Sequence, residues 1–178
     1  ANINAGNLKF TPVANANGAA YASFTFKVQD DGGTANAGVD LDATARTMTV
    51  NVTSVNDAPV GTNKTVTTLE DTDYTFTAAD FGFTDPSDAA GAGGANALAN
   101  VEITTIPGAG ALKLSGVAVT AGQFVTVANI NAGNLKFTPV ANANGAAYAS
   151  FTFQVQDDGG TANSGVDLDV TPRTMTVN

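Results

Sequence analysis

The strongest constraint on this chain is an internal repeat that has the length of a whole domain. Residues 1–51 align without a gap with residues 128–178, and only four positions differ. The period is 127 residues, which is much longer than the roughly 20–50 residues of solenoid units and typical of an independent domain. The sequence therefore predicts one complete repeat, preceded by the C-terminal part of another.

The boundary between the two repeats is predicted in the segment NVTSVNDAPV, residues 51–60. A strand-like pattern ends there and is followed by Pro59, which has no N–H group to donate to a sheet. We expect residues 1–55 to be the C-terminal part of a preceding repeat, 56–59 to be a linker, and 60–178 to be a complete domain.

Alternation of apolar and polar residues dominates both repeats and predicts β-strands. In AYASFTFKVQD, the side chains of Ala22, Phe24, Phe26 and Val28 share one face. Further strands are predicted in KTVTTLE (64–70), DYTFTA (73–78), VEITTI (101–106), ALKL (111–114), GVAV (116–119) and QFVTV (123–127). Seven or more short strands at this spacing indicate an all-β fold, a β-sandwich with Greek-key connections.

Two connections are also predicted. Ser115 and Gly116 stand at a hairpin position between two of these strands. Residues 88–100 are rich in glycine and alanine, which predicts a loop that can include a short helical turn. No window shows a sustained helical stripe.

Composition excludes several classes of function. The chain has 16 acidic and 7 basic residues, no histidine and no cysteine. Nucleic acids and anionic membranes are therefore poor partners, and disulfides, zinc, haem and iron–sulfur sites have no ligands. The apolar runs are too short to cross a bilayer, so no membrane insertion is expected. Without a nucleophile–base pair an enzyme is not expected, although paired carboxylates of the glycosidase kind remain open.

Four motifs carry a resemblance: VNDAPV (55–60), LEDTDYTF (69–76), FTDPSD (83–88) and VQDDGG (28–33 and 155–160). With the domain-length repeat, they resemble the cadherin-like, immunoglobulin-type tandem repeats of very large bacterial surface adhesins. The resemblance implies a secreted, extracellular protein exported by a type I system. It also implies a non-catalytic extender that acts in cell attachment and biofilms, with calcium stiffening the joints. The alternative is a carbohydrate- or protein-binding adhesive domain, and a covalent stalk and a self-assembled fibre both remain open.

Acidic residues at strand ends and turns are candidate calcium ligands, because Ca²⁺ takes about six to eight oxygen ligands from flexible loops. The alternative is that they only form turns, since Asp and Asn side chains bond their own backbone. The resemblance implies that the first part of the chain contributes to the same joint as the linker. The ligands it implies are Asn56, Asp57, Glu70, Asp85 and Asp88, with Asp30 or Asp31 from the preceding part.

The repeat also raises the question of which copy completes the sandwich that residues 60–127 begin. We expect the tethered copy, 128–178, because it continues directly from Val127. Residues 1–51 would then expose an apolar face and need other strands. Either another stretch of chain supplies them, or 1–51 replaces 128–178 within or between molecules. The predicted partners are thus neighbouring repeats of the same or an identical chain.

Overall fold

The computed structural model describes residues 3–178, which form two compact units. The first unit contains the described residues up to Ser54, together with Gly91–Gly93. The second contains Val55–Ala90 and Gly94–Asn178. Within residues 3–178, no helix has the length and apolarity required to span a lipid bilayer.

Residues 56–59, predicted as a linker, are hydrogen-bonded within the second unit. The backbone N–H of Val166 donates to the carbonyl of Asn56 at 2.9 Å, and Pro59 is buried. Val60 then forms an isolated antiparallel bridge with Thr84. The chain therefore enters its second unit through an ordered segment.

The second unit is a β-sandwich, which confirms the predicted fold class. Its strands are β3 (Lys64–Val66), β4 (Tyr74–Thr75), β5 (Leu98–Ile103), β6 (Ala111–Leu114), β7 (Val117–Ala118), β8 (Gln123–Thr126), β9 (Leu135–Thr138), β10 (Ala149–Asp157) and β11 (Arg173–Val177). One sheet has the order β3-β11-β10-β5-β8 and the other the order β4-β9-β6-β7. Apart from the hairpins β6–β7 and β10–β11, every connection crosses between the sheets, as Greek-key sandwiches require.

The core lies between the two sheets and follows the predicted alternation. Along β10, Phe151, Phe153 and Val155 are buried, whereas the residues between them are half-buried. Phe76 meets Phe151 edge-on with ring centroids 5.6 Å apart, and Phe81 meets Phe153 at 5.0 Å. Each of these rings contributes roughly 1.5–3 kcal/mol by leaving water.

The connections agree with the sequence in part. Ser115 and Gly116 have φ angles of 50° and 83° and turn the predicted hairpin between β6 and β7. The predicted loop 88–100 includes a single 3-10 turn, Asp88–Ala90, but β5 already begins at Leu98. A one-turn helix, α1 (Val127–Asn131), was not predicted, because five residues are too few to show a helical period.

The first unit contains a separate two-stranded antiparallel sheet, β1 (Gly18–Phe26) with β2 (Arg46–Val52). In the second unit, β10 pairs with β5 and β11 pairs in parallel with β3. The tethered copy thus completes the sandwich, as expected, and 1–51 does not replace it within this chain. Completion of the first unit by another stretch of chain stays a prediction.

Candidate cation-binding site

A cluster of acids and amides lies where strand β10 ends. Asp157 is the last residue of this strand, and the segment before β3 brings Asn56 to it. Asp85 lies directly before Pro86, Asp88 is the first residue of the 3-10 turn, and Asn96 lies just before β5. All of these residues belong to the second unit.

Asn56 connects the parts of this cluster. Its Nδ2 donates to Oδ1 of Asp157 at 3.0 Å and to the carbonyl of Val166 at 2.8 Å. Its Oδ1 accepts a hydrogen bond from Nδ2 of Asn96. A Cβ atom at position 159 would lie 1.9 Å from Oδ1 of Asn56, so this amide needs a glycine beside it.

Backbone and amide N–H groups orient the two loop carboxylates. Oδ2 of Asp88 accepts from the backbone N–H of Asp57 at 2.9 Å and from Nδ2 of Asn96 at 3.3 Å. Oδ2 of Asp85 accepts from the backbone N–H of Asn96 at 2.6 Å. Asn96 therefore links Asp85, Asp88 and Asn56 into one network.

The cluster contains three acidic side chains, and none of them forms an ion pair within the part of the chain that the structure describes. Asp85, Asp88 and Asp157 are all buried, and the ion pairs within residues 3–178 are formed elsewhere, by Arg46 and Arg173. Burying an unpaired carboxylate is unfavourable, because no positive charge replaces the water it loses.

Asp157 shows the consequence most clearly. Its side chain is 3% exposed, and its Oδ2 has no hydrogen-bond partner in the part of the chain that the structure describes. Burial raises the pKa of Asp157, against the hydrogen bonds from Gly159 and Asn56 that lower it, and the charges of Asp85 and Asp167 raise it further. A cation would relieve all of these costs.

Asp169 is a contrasting buried acid within the same unit. Its oxygens accept from Nε and Nη2 of Arg173 at 2.9 and 3.2 Å and from the backbone N–H of Gly61 at 2.8 Å. Burial raises the pKa of Asp169, but these hydrogen bonds and a fourth from Thr171 hold it below its usual value. Asp169 is thus satisfied by the protein itself, whereas Asp157 is not.

The oxygen-rich cluster fits a hard cation such as Ca²⁺, which binds carboxylate, amide and carbonyl oxygens. In residues 3–178, no group of three or more Asp, Glu, His or Cys side chains is arranged to hold a metal ion by itself. An ion at Oδ2 of Asp157 would therefore also take neutral oxygens as ligands, such as amide and backbone carbonyl oxygens.

Comparison with protein families bears on what this unit is. The model of a family described as "Bacterial Ig domain" matches residues 56–169, more than half of the chain. The chain belongs to this bacterial Ig domain family. The match begins at Asn56 and includes Asp157, so the whole cluster lies inside the bacterial Ig domain. Comparisons with curated proteins and with solved structures give no match.

The bacterial Ig domain brings together only part of the predicted ligand set. Asn56, Asp85 and Asp88 contribute side chains to the cluster, and Asp57 contributes its backbone N–H. Glu70 does not belong to it, because its Oε2 accepts from Asn144 beyond the opposite end of β10. A nine-residue strand separates those two ends by about 26 Å.

The remaining predicted ligands, Asp30 and Asp31, lie in the first unit. They are the repeat counterparts of Asp157 and Asp158. Within the bacterial Ig domain, Asp157 lies next to Asn56, where we expected an acid from the preceding part of the chain.

Two residues of the cluster were missed from the sequence. Asp157 stands in the second copy of VQDDGG, so the repeat itself carried the signal. Asn96 lies in a stretch of glycine and alanine and is joined to the cluster only by tertiary hydrogen bonds, so nothing in the sequence indicated its role.

Proposed function

We propose that this bacterial Ig domain is a non-catalytic structural repeat of an extracellular protein and that calcium binds at the Asn56–Asp157 cluster. The ion holds the entry segment of the domain against the end of β10 and stiffens the repeat. Arrays of such repeats serve as spacers in cell attachment, biofilm or fibre assembly. The observation that carries the proposal is the buried Oδ2 of Asp157, which has no hydrogen-bond partner within residues 3–178 and lies among acids that form no ion pair there.

The energetics support an ion of modest affinity. Extracellular calcium modules bind with dissociation constants of about 0.1–1 mM. Calcium at about 100 times its dissociation constant adds roughly 2.7 kcal/mol to the free energy of unfolding. That is a large share of the roughly 5–15 kcal/mol that stabilises a domain. That degree of saturation requires roughly 10–100 mM calcium, and at about 1–10 mM the gain is roughly 0.4–2.7 kcal/mol. A secreted repeat would therefore be more stable in millimolar calcium than without it.

The position of the cluster supports the spacer role. Asn56 and Asp57 are the first residues of the family match, and the segment they belong to leads into β3. An ion bound here fixes the path by which the chain enters the domain. The network also joins that segment to β5 through Asn96 and to β10 through Asp157. Breaking any of these contacts would therefore make the entry segment more mobile.

The alternative adhesive function has a weaker basis in the structure. A polar groove of the second unit, about 510 Å³, is lined by Asp73, Lys113, Lys136 and smaller residues. It contains no aromatic side chain on which a sugar ring would stack. We therefore favour the spacer.

Thermal unfolding of the 178-residue chain in EGTA and in 1–10 mM calcium tests the proposal. We expect calcium to raise the melting temperature of the second unit by several degrees, since 1 kcal/mol corresponds to about 2–8 °C for domains of roughly 60–250 residues. Asp88→Asn is expected to remove most of the rise. Asp31→Asn, an exposed acid of the first unit, is the matched control and should keep it. No response of the wild-type chain to calcium would contradict the proposal.

A further inference from the structure

The first unit exposes an apolar face whose sequence duplicate is buried in the second unit. Phe24 is 42% exposed, whereas its counterpart Phe151 is 1% exposed. Met48 is 47% exposed, whereas Met175 is fully buried. The residues are the same, so the difference in exposure comes from what packs against them.

These residues form one continuous surface, which we name the open face. It is a groove of about 380 Å³ lined by Leu8, Lys9, Phe10, Phe24, Met48 and Val50. The apolar members of this set correspond to Leu135, Phe137, Phe151, Met175 and Val177, all of which are buried in the second unit.

The second unit shows what covers such a face. Phe76 packs edge-on against Phe151, and its backbone N–H donates to the carbonyl of Leu135 at 3.1 Å. Strand β6 pairs with β9, while β5 and β3 add to the free edges of β10 and β11. Every one of these covering elements comes from residues 60–127.

The first unit already has the shape that accepts this cover. Phe24 pairs with Met48 in the register that joins Phe151 to Met175. The tight turn that follows is also duplicated: Asn36 has φ 54° and ψ 40°, and Asn163 has φ 57° and ψ 32°. The β1–β2 pairing and this turn therefore need little reorganisation before strands dock, which lowers the cost of association.

We propose that the open face is the docking surface for residues 56–127 of a second copy of this repeat. Docking places the incoming counterparts of β3 and β5 along the edges of β2 and β1. It also turns residues 8–11 into a strand between the counterparts of β4 and β6. An isolated two-stranded sheet is marginally stable, and its edges and apolar side recruit further strands.

The incoming segment must lack its own C-terminal part. Within each chain, residues 56–127 are already covered by 128–178, and this tethered partner has the advantage of a high effective concentration. Docking therefore occurs with a copy of residues 56–127 whose own residues 128–178 are absent or displaced. An identical open face is a poorer occupant, because in the second unit this surface is covered by a different sequence.

The direct test mixes the 178-residue chain with a polypeptide of residues 56–127. We expect a complex of one chain with one polypeptide, measured by titration calorimetry. We also expect new protection of the amides of residues 8–11 and of the outer edges of β1 and β2 in hydrogen exchange. Protection at these sites distinguishes docking on the first unit from exchange into the second.

Two variants place the interaction on the open face. Met48→Asp is expected to weaken binding at least about 30-fold, as for a central apolar contact. Phe10 lies outside both strands, so Phe10→Ser leaves the β1–β2 pairing intact. It should also weaken binding. Val39→Asp is the matched control, since Val39 and its counterpart Val166 are both exposed, and binding should stay within about twofold.

Two results would overturn the proposal. The first is that no complex forms at 100 µM polypeptide, or that a complex forms whose affinity is unchanged by both Met48→Asp and Phe10→Ser. The other is a chain that dimerises by itself in analytical ultracentrifugation, loses the dimer in Met48→Asp and does not bind the polypeptide. That second pattern would show that the occupant is an identical face.

Discussion

Asn56 donates a hydrogen bond of 3.0 Å from its Nδ2 to Oδ1 of Asp157, a residue 101 positions further along the chain. This contact joins the entry of the domain to the end of its nine-residue strand β10. It satisfies only one oxygen of Asp157, because Oδ2 has no partner within the described residues. The structure of the entry and the charge at the cluster are therefore coupled through a single carboxylate.

Replacing Asp157 with Asn should stabilise the second unit in EGTA and abolish its response to calcium. A carboxylate whose pKa is raised on folding contributes stability below its unfolded pKa and loses it as pH rises through the folded value. At neutral pH the charge is therefore a cost, and removing it should raise the free energy of unfolding by about 1 kcal/mol. Urea denaturation at pH 7 measures this change.

The control for that experiment is Asp30→Asn, the same substitution in the other copy. Asp30 is exposed, so the free energy of unfolding of the second unit should be unchanged with and without calcium. An Asp157→Asn chain that still gains stability from calcium would show that the ion binds elsewhere.

Gly159→Ala should disrupt the cluster without changing its charge. The added Cβ would lie 1.9 Å from Oδ1 of Asn56, so the amide must move. Overpacking of this kind costs roughly 1–3 kcal/mol, and the calcium response should weaken with it. Gly32→Ala, the same change in the first unit, should alter the stability of the second unit by less than about 0.5 kcal/mol.

The two arginine pairs should differ sharply in their contribution to stability. Arg173 binds a fully buried carboxylate at 2.9 Å, and Arg46 makes the duplicate contact at 3.0 Å from an exposed position. Arg173→Ala leaves Asp169 buried and unpaired, which costs about 3–5 kcal/mol. Arg46→Ala should cost much less, because water and salt screen the exposed pair. Chemical denaturation of both variants gives the comparison, and equal effects would contradict it.

Asp169 should also make the largest contribution to the loss of folding stability at low pH. Its pKa is lowered on folding, so its contribution is present above the unfolded value of about 3.9 and is lost as pH falls through the folded value. The stability difference between the wild-type chain and Asp169→Asn should therefore be large at pH 7 and shrink below pH 4. Melting temperatures measured from pH 7 to pH 2 follow this difference, and a constant difference would refute the assignment.

Phe151→Ala and Phe24→Ala remove the same atoms from two copies of one sequence. Phe151 is buried against Phe76, so its loss should cost about 3–5 kcal/mol. Phe24 is 42% exposed, so its loss should change the free energy of unfolding by much less. Once residues 56–127 are docked on the open face, Phe24→Ala should become as costly for that complex as Phe151→Ala is for the domain.

The sequence by itself determined the local pairing of this protein. The alternation in AYASFTFKVQD sets one apolar face in both copies, and both copies adopt the same β-register and the same left-handed turn at Asn36 and Asn163. These features depend on residues within one copy of the repeat, so the same sequence gives the same pairing and the same turn in both copies. The fold class and the acids of the entry segment were accessible for the same reason.

Tertiary structure alone decided what each copy becomes. Leu135–Thr138 forms strand β9, whereas the same letters at residues 8–11 form no strand. A strand needs neighbours to accept its hydrogen bonds, and only the second copy has β4 and β6 beside it. Likewise Asp157 is buried and Asp30 is exposed, because Asn56 and the loops that carry Asp85 and Asn96 close over only one of them. Burial and charge balance depend on what packs against a residue. The identity of that residue alone does not determine them.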